Sequence, residues 1–242
     1  MKKGLIITIA TLVTVSLLGS SLALARWGGG QRAQGNNRGN PAAMIATLPY
    51  EELSAAEKSS LLKMVEEEKL ARDVYLALYD KWAIPAFSNI SRSEQRHMDA
   101  VAALLAKYNL ANPVANLAPG NFATPEVQTL YGELVANGST NNESALRVGA
   151  TIEDLDIKDL KEALAETDNQ DITLVFGNLK RGSENHLRAF TSLLSMYGFD
   201  PYEAQYLSPQ EIDEILSTPP TRGQGRRRGG NRRGNCQLLE PR

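Results

Sequence analysis

The run Glu66-Glu67-Glu68-Lys69-Leu70-Ala71-Arg72-Asp73-Val74-Tyr75, answered about one helix later by Ser93-Glu94-Gln95-Arg96-His97, constrains this chain more than any other stretch. On an α-helix, residues three and four apart share a face. The apolar positions around the first run are Leu61, Val65, Ala71, Tyr75 and Leu78, and Glu68 falls inside that stripe. In the second run Glu94 and His97 lead into Val101, Leu104 and Tyr108. A carboxylate and a Glu-x-x-His pair are therefore aimed at a hydrophobic interior, where an unpaired charge costs several kcal/mol. Something must compensate them, and a metal ion is the simplest candidate.

Periodicity and punctuation predict an all-α protein. A first helix starts near Ser54, with Glu57 three residues on as a capping box, and runs to about Trp82, before Pro85. A second starts near Ser91 or Ser93 and ends around Tyr108, ahead of a loop from Asn109 to Pro125. A short helix from Pro125 to Ala136 is broken by Asn137-Gly138-Ser139-Thr140. A third long helix covers Asn142 to Glu166, and a fourth runs from Asp171 to Tyr197 and stops at Gly198. Pro209 to Leu216 forms a short terminal helix. No segment of any length has strand periodicity, so the expected architecture is a four-helix bundle with short extra helices.

Charge is segregated. Between Glu51 and Ser217 lie 27 acidic and 14 basic residues; outside that span there are 12 basic residues and one acid, Glu240. Residues 1–25 have the pattern of a secretory signal: Lys2 and Lys3, an apolar run from Leu5 to Leu18, and Ala23-Leu24-Ala25 before the expected cleavage. An uncleaved anchor is the alternative, although the run is short for a membrane span. Residues 26–44 and 218–242 are Gly-, Asn- and Arg-rich and are expected to be disordered, which leaves 45–217 as the folded domain. The second tail carries Arg226-Arg227-Arg228-Gly229-Gly230-Asn231-Arg232-Arg233. On an exported protein (periplasmic, cell-surface or extracellular) such a tail favours an anionic surface polymer over nucleic acid as partner. The lone Cys236 excludes an internal disulfide and any multi-cysteine metal site.

Each main helix brings a candidate ligand to its apolar stripe: Glu68, then Glu94 and His97, then Glu153, then His186. The chain has only two histidines, and each closely follows a Ser-Glu on such a stripe. Glu184 precedes His186 by two residues, about 200° around a helix, so the two cannot easily reach one ion unless a π-bulge intervenes. The residue three before His186 is Ser183; Asp156, one turn after Glu153, is the acid placed to supply a missing oxygen. Glu66 and Glu67 are expected to be solvated or capping, and Trp82 to be core. Arg72 and Tyr75 are expected to support the ligands, Arg72 by pairing with a carboxylate and Tyr75 by a hydrogen bond or as a redox-capable neighbour. Oxygen and nitrogen ligands without thiolate suit iron, manganese or zinc.

These motifs resemble a known group. Glu68-x-x-Ala71-Arg72-x-x-Tyr75 followed by Glu94-x-x-His97 is similar to the first half of a rubrerythrin-type ferritin-like protein. The wider pattern, Glu67 to Tyr75, Ser93 to His97 and Gly182 to Phe190, resembles a family of ferritin-like domains without an assigned function, over about Pro49 to Leu216. The resemblance implies a di-iron or di-manganese carboxylate site acting on dioxygen, peroxide or ferrous iron, as a ferroxidase- or peroxidase-like oxidoreductase. Rubrerythrins also carry a four-cysteine iron site, which a chain with one cysteine lacks, so an external reductant would be needed. A non-catalytic exported scaffold, its tails on an anionic surface, is the rival expectation. Cage-forming iron storage fits the long basic tails poorly, and the sequence leaves a homodimer open.

Overall fold

The structure, a computed structural model, describes residues 41–219. The expected signal segment, most of the first Gly-rich stretch, the Arg-Gly tail and Cys236 lie outside the described residues. Among the described residues there are seven helices and no strands: α1 (Pro41–Ile45), α2 (Ala55–Trp82), α3 (Pro85–Lys107), α4 (Pro125–Gly138), α5 (Asn142–Glu166), α6 (Gln170–Met196) and α7 (Pro209–Ser217). None of these helices is long and apolar enough to cross a membrane.

Local chemistry sets the boundaries. Glu57 N–H donates to the Ser54 hydroxyl at 3.1 Å and Ser54 N–H to the Glu57 carboxylate at 2.8 Å, the reciprocal cap the sequence predicts. Ser208 and Glu211 repeat the device at α7. The start of α3 differs from expectation: it begins at Pro85, six residues before Ser91. Ala83 takes left-handed backbone (φ 52°) to end α2, and Pro85 then sits in the first turn of α3, where its missing N–H has no partner to lose. The proline before which α2 ends, as expected, is also the start of α3. Helix α4 continues through Asn137-Gly138, because Gly138 lies against α2 where a Cβ would come within 2.8 Å of Leu78. Helix α1 begins four residues before the expected domain start at residue 45, and its Ile45 is buried. Trp82 is half-buried and donates its indole N–H to Gly138 O at 2.8 Å.

The long helices pack as neighbours: α2 against α3, α5 against α6, α2 against α5, and α3 against α6. Their apolar residues form two clusters rather than one. Leu70, Val74, Tyr75, Leu78, Phe87, Leu146, Leu187 and Phe190 belong to the first. Leu61, Met64, Val65, Val101, Leu104, Leu160, Phe176 and Leu179 belong to the second. Along α2, α3 and α6 the change from one cluster to the other falls at residues 66–69, 91–97 and 183–186, where buried polar side chains replace apolar ones.

Buried acids also hold the long loop between α3 and α4. Asp73 accepts hydrogen bonds from Lys69 Nζ, from Gly120 N–H at 2.9 Å and from Arg72 Nε at 2.8 Å. Lys69, fully buried, also donates to Ala118 O at 3.0 Å and lies 4.6 Å from the Phe122 ring centroid. Glu66, expected to be solvated or capping, is buried and accepts from the N–H of Thr124, the residue that opens α4, at 2.8 Å and from its hydroxyl. An Asp73→Ala variant leaves the Lys69 ammonium buried without its carboxylate, and should lose about 3–5 kcal/mol in denaturant unfolding. A loss within 1 kcal/mol (about the worth of an exposed pair) would show that the clamp contributes little.

Candidate metal centre

Four helices deliver the polar belt. Glu68 comes from α2, Glu94 and His97 from α3, Glu153 and Asp156 from α5, and Ser183 and His186 from α6. Glu68, Glu94 and Glu153 are at most 2 % exposed, a depth at which an uncompensated carboxylate is not tolerated. His97 Nδ1 lies 2.7 Å from Glu94 Oε2 and 3.2 Å from Glu68 Oε2. His186 Nδ1 lies 2.8 Å from Glu94 Oε1 and 3.4 Å from Glu153 Oε2. Glu94 thus stands between the two imidazoles, whose rings stack at 5.7 Å between centroids. Glu68, Glu94 and His97 form one group of ligand atoms within 4.8 Å of one another, and Glu94, Glu153 and His186 form a second.

The atoms converge without satisfying one another. Glu94 Oε1 and His186 Nδ1 are near enough for an ion pair, yet their alignment makes no hydrogen bond, and Glu68 Oε1 has no partner at all. Buried polar atoms are normally hydrogen-bonded. Lone pairs aimed at common points, from carboxylates and imidazole alone, are a donor set suited to iron, manganese or zinc. The residues present fit a metal.

Charge coupling points the same way. Burial alone would push the Glu94 carboxyl up, but His186 and His97 outweigh it and hold it far below the ordinary range. Burial raises Glu68 well above the usual carboxylate value against the pull of His97, and raises Glu153 against that of His186. Burial would lower the imidazoles, yet Glu68 and Glu94 hold His97 well above its normal value, and Glu94 and Glu153 bring His186 up to about 10. Asp156 is pushed up to about 7 by burial and then by Glu153.

Of the supporting residues, Tyr75 is where expected: fully buried, it donates its hydroxyl to Glu153 Oε1 at 2.5 Å. Arg72 is not. Its guanidinium meets Asp73 at 2.7 Å and Gln95 at 2.6 Å and serves the loop clamp. Helix α6 is α-helical through 183–186, so no bulge brings Glu184 to His186. Glu184 turns to Lys180 at 2.7 Å instead, away from the ligand atoms. Glu67, expected to be solvated or capping, reaches Lys63 at 3.3 Å with its second oxygen buried and without a hydrogen-bond partner. Burial, against the Lys63 charge, raises its carboxyl well above the usual value.

Two further residues shape the site. The acidic run at 153–156 divides: Glu153 and Asp156 face inward, while Asp154 accepts N–H bonds from Gln205 at 2.7 Å and Leu207 at 2.8 Å and fixes the segment before α7. Gly182 lets α6 approach α3, since a Cβ there would lie 2.6 Å from His97 Cε1 and Nε2. That glycine stands in the Gly182-Ser183-Glu184-Asn185-His186 motif, but only the packing reveals its purpose.

With this geometry established, the comparisons place the chain. It belongs to the family of the uncharacterized protein domain DUF2202, whose model matches residues 57–219. It is similar to the uncharacterized protein MJ0754 of Methanocaldococcus jannaschii, with 51 % identity over 182 residues, 75 % of this chain and 98 % of that one. It is also similar to the crystal structure of the hypothetical protein MJ0754 from Methanococcus jannaschii DSM 2661, with a TM-score of 0.71 and 51 % identity over 72 % of this chain and 99 % of that one.

Two outcomes follow from the site. Every one of Glu68, Glu153, Asp156, His97 and His186 has a raised folded-state pKa, so each stabilises the metal-free fold at low pH and loses that contribution as pH rises through its folded value. Only Glu94 acts in the opposite sense, below the carboxylate range. The melting temperature of metal-free protein should therefore fall between pH 6.5 and about 10, the ordinary and raised values of His186. Bound metal should flatten that slope and release protons on binding. A pH-independent melting temperature for the metal-free form would contradict the charge coupling. Separately, Gly182→Ala should gain up to about 1 kcal/mol of helix propensity yet weaken metal retention by displacing His97, a combination that melting and metal analysis together would detect.

Proposed function

We propose that the chain is a metal protein whose centre holds two ions, with Glu94 shared between a Glu68–His97 half and a Glu153–His186 half. The observation that carries this is the pair of three-residue ligand groups with Glu94 in common. Carboxylates and histidines on facing helices, with a Glu-x-x-His pair, are the arrangement of ferritin-like di-iron and di-manganese carboxylate proteins, and the neighbour relations of α2, α3, α5 and α6 are compatible with their four-helix bundle. Iron is the first candidate, manganese and zinc the alternatives.

The chain's own residues prepare the site in definite ways. Both histidines present Nδ1 to the carboxylates, so neutral imidazole must bind through that atom and give up its proton as metal enters. Tyr75 fixes the Glu153 carboxylate and keeps a phenol close to the centre. The two apolar clusters exclude water on either side. A redox-active ion pair held there would supply chemistry toward dioxygen or peroxide, or toward ferrous iron as substrate. We further propose that the protein is exported and that its Arg-rich tail, with the opposite charge to the acidic body, engages an anionic surface polymer.

The deciding experiment is metal analysis of the protein purified from cells supplied with iron, manganese and zinc. The expectation is about two ions per chain, lost or reduced in His97→Ala and Glu94→Ala, with Glu94→Ala the more severe because it removes a ligand from both halves. Iron or manganese would direct the next assays to peroxide and ferrous iron. A well-folded protein that keeps no metal through dialysis would overturn the proposal in favour of a helical scaffold.

A further inference from the structure

The two halves of the site are related by position, and the relation breaks at one place. In the α2–α3 half, Glu68 faces His97, and the residue three before His97 is Glu94, while the residue three after Glu68 is Ala71. In the α5–α6 half, Glu153 faces His186, but the residue three before His186 is Ser183, and the residue three after Glu153 is Asp156. Where one half has Glu on the histidine helix and Ala opposite, the other has Ser on the histidine helix and Asp opposite. The carboxylate has changed helices.

The contacts join the exchanged pair. Ser183 is fully buried and donates its hydroxyl to Asp156 Oδ2, with Leu179 O as an additional acceptor at 3.1 Å. That bond turns a serine too short to reach an ion into a support for an acid arriving from α5. Asp156 Oδ1 is buried and has no hydrogen-bond partner, as are Glu68 Oε1 and Glu94 Oε1 in residues at most 2 % exposed. Ser183 also adjoins Gly182, whose missing side chain admits the His97 ring from α3, and lies one turn before His186 on α6.

We infer that Asp156, held by Ser183, is a metal ligand, supplying across the α5–α6 contact the carboxylate that position 183 lacks. The assignment rests on the two-ion reading above and adds a residue that belongs to neither three-residue group. With Asp156 included, the site offers four carboxylates and two imidazoles, a formal charge that two divalent cations cancel. It also makes the two ion positions unequal, because the aspartate side chain is one methylene shorter than glutamate and is approached from a different helix.

Titration of the metal-free full-length protein with Mn(II), Zn(II) and anaerobic Fe(II), read as ions bound per chain and as affinity against a chromophoric chelator, tests the assignment. Asp156→Asn preserves shape and the contact with Ser183, and should hold about one ion tightly with the second weakened at least about tenfold. Asp156→Ala should behave likewise, and the double variant Asp156→Ala with Ser183→Glu should recover the second ion by returning the acid to α6. Circular dichroism and melting of the metal-free variants verify that they fold. Two ions held by Asp156→Asn with wild-type affinities, or a double variant no better than Asp156→Ala, would overturn the role of Asp156 and leave the two-ion centre standing. A wild-type chain that binds fewer than two ions would overturn that centre and the assignment with it.

Discussion

A layer of charge in the middle of the helices is the constraint on which the rest depends. Glu68, Glu94, Glu153 and His186 are buried to a depth where each would be prohibitive alone, and they are tolerated because they face one another and the less deeply set His97, with Asp156 held beside them by Ser183. The layer divides the apolar interior into two clusters. Each helix must therefore be apolar, then polar, then apolar along one stripe, and the polar positions must meet at one level. That requirement fixes the helix register more strictly than a continuous apolar core could, since a slip of one turn would set a carboxylate against leucine.

The acids outside the layer have another purpose. Glu66 and Asp73, on either side of Glu68 along α2, hold the backbone and side chains of the 118–124 segment. Asp154, between Glu153 and the Asp156 side chain's level, holds the chain at 205–207. Position around one helix separates the roles: at about 100° per residue, Glu66 and Asp73, seven apart, share a face toward the loop while Glu68 turns inward, and Asp154 diverges from Glu153. The acidity of the body thus belongs only partly to the candidate metal site. Glu66, Asp73 and Asp154 add polar anchors to loops that also pack Val114, Phe122 and Leu207 against the apolar clusters.

The fold was largely legible because helices announce themselves by period and by end chemistry. Ser54 with Glu57, Asn141 before α5, and Gly198 after α6 act as their residue types suggest. Helix α2 ends before Pro85 as expected, but the same proline also starts α3, six residues earlier than expected, because Ala83 has already turned the chain. For the site, Glu68, Glu94, His97, Glu153 and His186 could be named from stripe position alone. Glu66 and Glu67 could not be separated from Glu68 by type, and Arg72 took Asp73 and Gln95 because those groups, not a ligand carboxylate, lie within its reach.

Sequence by itself determined that the chain is helical, that its charge divides between an acidic body and basic ends, and that five of its polar residues fall on apolar stripes. Those are properties of a single helix turn or of composition, and they need no partner. Only the tertiary structure decided which acids meet. It placed Glu94 between both histidines, turned Glu184 toward Lys180, brought Asp156 onto Ser183, and gave Gly182 its purpose as the gap that His97 fills. Apart from the Glu184–Lys180 pair, which lies one turn apart within α6, each of those facts is a distance between different helices, and periodicity within one helix contains no information about such a distance.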